Sequence, residues 1–122
     1  MELSPDILQL LQSLTSVWAL ELLIFLIRHP DQVWTVDALV RELRGSRPLV
    51  VDVVGLLERL GLVETSAHGA WRYRPASAEL AERAAEIERI YGERPLMLVN
   101  VILTTPNSKI RIFSDAFKWK KD

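Results

Sequence analysis

The chain contains no cysteine, which excludes a disulfide framework and any thiolate metal site and is compatible with a reducing compartment. Only two histidines are present, and His29 and His68, isolated and without cysteine, make no metal site. His29 precedes Pro30 at an expected helix end, where an imidazole suits the helix dipole, and His68 falls on an expected hairpin tip. Excess charge is missing as well. Fifteen Lys and Arg stand against sixteen Asp and Glu, a net charge of -1, so no global basic field exists and any nucleic-acid contact must rest on a local patch. The apolar run Val17 to Ile27 is interrupted by Glu21 and falls short of the roughly 18 to 20 residues that a membrane span needs. The opening MELSPDIL has two acids and no base ahead of its apolar stretch, unlike a secretory signal, so cytoplasm is the expected location. No nucleophile elbow, glycine-rich phosphate loop or specifically spaced acidic pair occurs, which argues against an enzyme; no cofactor is expected.

What is present reads as one folded domain, 122 residues long, 49% hydrophobic and 25% charged, without repeats, low-complexity segments or an obvious linker. Ser4 can cap a helix with Pro5 at its first position and Asp6 in its first turn, along which Ile7, Leu10, Leu11 and Leu14 form one apolar stripe. Thr15 or Ser16 offers a second cap. The segment Val17 to Arg28 is apolar on nearly all sides until His29, Pro30 and Asp31 end it, as expected of a central core helix. QVWTV predicts a short strand, and VDALVRELRG a helix with Val36, Leu39, Val40 and Leu43 at helical spacing and Gly45 placed to terminate it. Ser46 can cap the next helix, with Pro48 in its first turn. LVVDVVGLLERL has strand propensity through its four valines. Its ending decides for helix: Leu56, Leu57 and Leu60 are followed by Gly61 as a stop, with Glu58 and Arg59 on the solvated side.

LVETS and WRYRP around AHGA read as a β-hairpin with Gly69 at its turn. Trp34 and Trp71 are expected to pair across this small sheet and Trp18 to belong to the core, although the three could instead line a ligand pocket. Ser77 caps the clearest helix, with Leu80, Ala84, Ile87 and Tyr91 along one side and Gly92 able to end it. Beyond Pro95, residues 96–113 fit either two short helices or a hairpin around Pro106. The spacing of Ile110, Phe113 and Phe117, with Pro95 in a first turn, favours helices. The terminal FKWKK interleaves aromatic and basic residues, which can stack on bases or grip an anionic partner, or can simply suit a helix C-terminus.

The order helix, short strand, helix, helix, two-stranded wing, helix resembles the winged helix-turn-helix superfamily in the arrangement of MarR-like bacterial regulators. The core helix Ser16 to Arg28, VDALVRELRGS, LLERLGLVETS and GAWRYRP carry the likeness over about half the chain, and LERLGLV is its most specific phrase. The implied fold is mainly α with a small β-wing, a winged helix-turn-helix with additional N- and C-terminal helices. As one domain, 1–122, it divides into an N-terminal helix over 4–15, a winged-helix core over 16–76 and a C-terminal helical region over 77–122.

The resemblance implies that the helix beginning near Arg47 lies in the major groove, where side chains at its start reach base edges and phosphates. Those places hold Leu49, Val50, Val51, Asp52 and Gly55, a departure that argues against sequence readout. Arg41, Arg44, Ser46 and Arg47 bracket the turn, Arg59 lies further along, and His68, Arg72 and Arg74 sit on the wing, where phosphate contacts need no base code. Between Arg41 and Arg74, six arginines face Glu42, Asp52, Glu58 and Glu64. The expected function is a cytoplasmic bacterial transcriptional regulator contacting double-stranded DNA mainly through arginine–phosphate pairs. A homodimer is expected through Ile7, Leu10, Leu11 and Leu14 with Ile110, Phe113 and Phe117. The alternative is a winged-helix protein-interaction module that docks a partner through Leu49, Val51 and Asp52 and reads no DNA sequence.

Overall fold

A computed structural model describes residues 3–66 and 68–104. Among the described residues six helices run in the order α1 (Pro5–Leu14), α2 (Val17–Ile27), α3 (Val36–Leu43), α4 (Arg47–Arg59), α5 (Ala78–Glu93) and α6 (Pro95–Leu103), with a two-stranded antiparallel sheet, β1 (Val63–Thr65) and β2 (Trp71–Tyr73), between α4 and α5. Five of the helix starts use side-chain caps. The hydroxyls of Ser4, Ser16, Thr35, Ser46 and Ser77 accept from the backbone N–H three residues on, each satisfying one of the amides a first turn leaves unpaired.

Helix α2 is the centre. Ala19, Leu20, Leu22, Leu23, Ile24 and Leu26 are all buried, which covers most of its circumference, and α4, α5 and α1 pack around it. Helix α6 packs against α1, α5 and α2 and completes the core. Among the described residues no single helix is long and apolar enough to cross a membrane; α1 and α2, apolar enough when taken together, meet at a bend of 111°.

Helix α3 is joined to α4 by Arg44, Gly45 and Ser46 alone. The residue that turns left-handed there is Arg44, at φ 58°, whose N–H donates to the Val40 carbonyl, so the stop expected at Gly45 falls one residue earlier. The cap at Ser46 leaves only these positions in which to reverse the chain. Helix α4 ends as its sequence predicts. Leu62 N–H donates to Leu57 O at 2.9 Å and Gly61 N–H to Glu58 O at 3.0 Å, with Gly61 at φ 82°, which is the paired hydrogen-bond pattern of a glycine-terminated helix.

The strand expected over QVWTV shrinks to a single bridge, in which Trp34 and Trp71 exchange backbone hydrogen bonds of 2.7 and 2.8 Å. Thr35 already serves as the cap of α3, its hydroxyl accepting from Ala38 N–H, so the extended segment passes into helix directly after the bridge. Val63, Glu64 and Thr65 oppose Tyr73, Arg72 and Trp71, with Gly69 at φ 76° in the connecting turn. Both tryptophan indole N–H groups are buried without a hydrogen-bond partner among the described residues. Half-burying an indole of about 200 Å² contributes about 2–3 kcal/mol, similar to the roughly 1–3 kcal/mol an unpaired buried donor costs. The backbone bridge and the edge-on contact of Trp34 with Phe25, ring centroids 4.8 Å apart, therefore hold this corner.

Two further expectations change. Trp18 is 40% exposed rather than part of the core, because it stands on the first turn of α2 beside Gly45. Gly92 does not end α5, which continues to Glu93 and breaks at Arg94, where the following Pro95 disfavours helical backbone. Helix α6 confirms helix at the start of the ambiguous region; residues 105–122, with Pro106, Ile110, Phe113, Phe117 and FKWKK, lie outside the described residues.

A methyl group on Gly61 would stand 3.3 Å from Ala76 Cβ and 3.4 Å from Leu80 Cδ2, whereas one on Gly69 would meet nothing within 4 Å. Both glycines have positive φ. Gly69→Ala is therefore expected to cost about 1 kcal/mol from backbone strain alone, and Gly61→Ala about 2 kcal/mol, measured by urea unfolding; equal losses would contradict the close approach at Gly61.

Candidate nucleic-acid interface

Three elements carry the arginines singled out by sequence. Arg41 lies in the last turn of α3 and Arg44 in its left-handed cap, Arg47 and Arg59 occupy the two ends of α4, and Arg72 and Arg74 lie on and just beyond β2. All six reach solvent: Arg72 is half-buried and the others are exposed. The α3–α4 turn groups Arg41, Arg44 and Arg47 around the start of α4. The hairpin adjoins the other end of the helix, because Gly61 and Leu62 lead directly into β1 and Thr65 Oγ1 donates to the Glu58 carboxylate at 2.6 Å. Ser46 is committed to its cap, accepting from Leu49 N–H at 3.3 Å. His68 is exposed in the hairpin turn, its backbone N–H donating to Ser66 Oγ at 3.4 Å.

Helical periodicity places Arg47, Pro48, Val51, Asp52, Gly55, Glu58 and Arg59 on the outward side of α4, while Val50, Val53, Val54 and Leu57 are buried. Val50 is thus removed from the outward positions expected of it, and Leu49 is half-buried against the core. Val51, 43% exposed, and Asp52 remain outward. The face has two positive and two negative side chains and no Asn, Gln, Ser, Thr or Lys, the neutral and ammonium donors that, with Arg, read base edges in a major groove. Arg59 folds back along the helix, its Nη1 lying 3.5 Å from where a Gly55 Cβ would stand.

Carboxylates occupy half of the arginines. Asp37, in the first turn of α3, pairs with Arg47 across the α3–α4 turn. On the hairpin, Glu64 receives Arg72 Nη2 at 2.6 Å on one oxygen and lies 3.7 Å from Arg74 Nε on the other. Alternation along β1 and β2 explains this arrangement. Val63, Trp71 and Tyr73 turn towards the core, where burial pushes the Tyr73 phenol above its ordinary value, and Glu64, opposite Arg72, stands on the other face. Arg41, Arg44 and Arg59 have no ion-pair partner among the described residues. Glu64 was recognisable as a partner once the hairpin register was fixed; Asp37 was not, because its approach to Arg47 depends on the geometry of the left-handed turn.

The expected dimer face is not on the surface. Ile7, Leu10, Leu11 and Leu14 are buried, because α5 and α6 of the same chain fold over α1; Ile110, Phe113 and Phe117 lie outside the described residues. Exposed apolar side chains on the C-terminal side are instead Leu96 and Leu103 of α6, at 74% and 54%.

None of the three tryptophans lines the recess that α2, α3 and α5 enclose. This recess, of about 320 Å³, is lined by Glu21, Phe25, Arg28, His29, Glu42 and Tyr91 together with Ile24 and Leu43. His29 closes the end of α2, its Nδ1–H donating to Phe25 O at 2.8 Å, as its position before Pro30 suggested. Arg28 lies over the Tyr91 ring and pairs with Glu88 at 3.0 Å, and Tyr91 donates to Glu21 at 3.3 Å. Among the described residues, no group of three or more metal-ligating side chains is assembled.

Left-handed backbone costs a non-glycine residue about 1–2 kcal/mol, and Arg44 bears that strain with its side chain in solvent. Arg44→Gly is accordingly expected to leave stability unchanged or raise it by up to about 1 kcal/mol, the relief being offset in part by the entropy of a glycine in the unfolded chain. A loss above about 1 kcal/mol in chemical denaturation would show that the Arg44 side chain supports the fold.

Neither a family model, nor a curated protein, nor a solved structure matches this chain.

Proposed function

We propose that the chain is a winged-helix regulator that contacts duplex DNA through arginine–phosphate pairs and reads little base sequence. The observation that carries this reading is that six solvent-reaching arginines stand at the two ends of α4: Arg41, Arg44 and Arg47 around the α3–α4 turn, and Arg59, Arg72 and Arg74 at its last residue and on the adjoining hairpin. Phosphate contacts position a protein on a duplex without carrying sequence information, and the outward side of α4 offers few groups for base edges. Arg44 adds support. A glycine there would relieve backbone strain, so an arginine whose side chain has no ion-pair partner among the described residues is more readily understood as a surface contact.

The charge arithmetic sets the scale. Between Arg41 and Arg74, six arginines against four carboxylates leave a local charge of +2, which Asp37 reduces to +1. Binding of this kind is weak at physiological salt and strengthens as salt falls, because its main gain is release of counterions condensed on DNA. Arg72→Ala/Arg74→Ala should weaken binding to unrelated duplexes to a similar degree, on the order of tenfold at low salt, and flatten the log–log salt slope by up to about 1.8. Fluorescence anisotropy over a salt series measures both quantities. An unchanged slope in a folded double variant would remove the hairpin from the interface.

The outward Pro48, Val51 and Asp52 favour a second reading, in which α4 docks on a protein. An apolar strip beside one carboxylate is desolvated more readily against protein than against a polyanion. Asp52→Lys separates the two. It should leave DNA binding equal or tighter under the first reading and impair partner capture under the second; loss of DNA affinity with intact folding would mean that the carboxylate itself accepts from a base, such as a cytosine amino group.

A further inference from the structure

We propose that Glu64 and Asp37 are built-in competitors of DNA phosphate, holding Arg72, Arg74 and Arg47 until a polyanion displaces them; this rests on the DNA reading above. Three features of the geometry point to it. Glu64 engages both hairpin arginines at once, one through each carboxylate oxygen, at 2.6 and 3.7 Å. Asp37 engages the arginine at the start of α4 from the preceding helix. All three pairs are solvent-exposed, with side-chain exposures from 38% to 73%, so exchange of one anion for another requires no unfolding and leaves no charge buried.

The placement of these acids matters more than their number. Glu42 lies in the same lobe, one residue from Arg41, exposed and without an ion-pair partner among the described residues, yet it occupies no guanidinium. Glu64 and Asp37 occupy those they touch. A phosphate arriving at Arg72 or Arg47 must take the place of a carboxylate already there, and the displaced carboxylate stays tethered nearby as a repelling charge. The pairs therefore lower affinity for isolated anions most, because a single anion in solution competes against a carboxylate held at high effective concentration. A duplex presents many phosphates together and suffers less. The carboxylates thereby select for a dense polyanion.

The test compares Glu64→Gln, Asp37→Asn and Glu42→Gln with the parent chain by anisotropy on one random-sequence duplex over a salt series. Gln and Asn keep the shape and remove the charge. Glu64→Gln and Asp37→Asn are each expected to tighten binding about three- to tenfold at low salt and to steepen the log–log salt slope by about 0.9, one net charge each. Glu42→Gln should change affinity less than about twofold. The gain from Glu64→Gln should fall to less than about twofold when Arg72 and Arg74 are both alanine, since only the repulsion between carboxylate and phosphate is then left to remove. Binding by the parent with no greater gain from Glu64→Gln than from Glu42→Gln overturns the competitor role and leaves the DNA reading standing. A gain that persists undiminished without Arg72 and Arg74 overturns it too. Failure of the parent and every variant to bind duplex at low salt overturns both. Asp37→Asn, acting on a separate element, supplies an independent reading of the same claim should the hairpin variant misfold.

Discussion

The architecture depends on the burial of α2. A helix apolar on nearly all sides cannot lie on a surface, so other elements must enclose it, and the chain supplies α4 and α5 together with α1 for that purpose. Six buried side chains on this one helix, at about 1.5–3 kcal/mol each for the larger ones, outweigh any local preference nearby. This explains why LVVDVVGLLERL, rich in valine, is a helix: its Val50, Val53, Val54 and Leu57 must fall on one side to meet α2, and strand periodicity would send half of them outward.

That same requirement makes the outward side of α4 unusual. Once the valines and leucines are taken inward, the residues left over are Arg47, Pro48, Val51, Asp52, Gly55, Glu58 and Arg59, a face without net charge and with a bare backbone at its middle. The core dictates which residues point out, but it does not choose them. A helix that served only to cover α2 would gain helix propensity from almost any substitution of Gly55, at about 1 kcal/mol relative to alanine. At Gly55 the missing side chain leaves room for the Arg59 guanidinium, whose Nη1 lies 3.5 Å from where a Cβ would stand.

Much of this was legible in the sequence because it rests on local chemistry. The hydroxyl caps at Ser4, Ser16, Ser46 and Ser77, Gly61 after an apolar helix end, and Gly69 between two β-favourable runs each act within a few positions, and each stands where the sequence implied; the cap at Thr35 falls instead inside the expected strand. Non-local geometry was less accessible. The stripe Ile7, Leu10, Leu11 and Leu14 was visible as a stripe, but nothing in it tells whether a second copy or α5 and α6 of the same chain will cover it. Trp18 was assigned to the core by its apolar neighbours, although its place on the first turn of α2 leaves one edge in solvent. The arginines were found by type and position; their carboxylate partners required the hairpin register and the left-handed turn at Arg44.

Those partners bear on what the arginine surface can distinguish. An exposed ion pair contributes only about 0.2–1 kcal/mol, so Glu64 and Asp37 add little to folding, and replacing such a carboxylate by one phosphate is close to an even exchange. The difference arises in what each exchange releases. A lone anion brings no condensed counterions, whereas duplex DNA gives up nearly one cation for every phosphate neutralised, a gain that accumulates with each contact. A surface of unpaired arginines would bind nucleotides, acidic peptides and DNA alike. With half of its arginines already paired, the same surface, if it binds anions as proposed, would keep a clear advantage only for a ligand whose charge density repeats along its length. On the DNA reading proposed above, low sequence selectivity and high selectivity for polymer over monomer would both follow from one arrangement: an outward helix side stripped of base readers by the needs of the core, bordered by arginines that carry their own counter-anions.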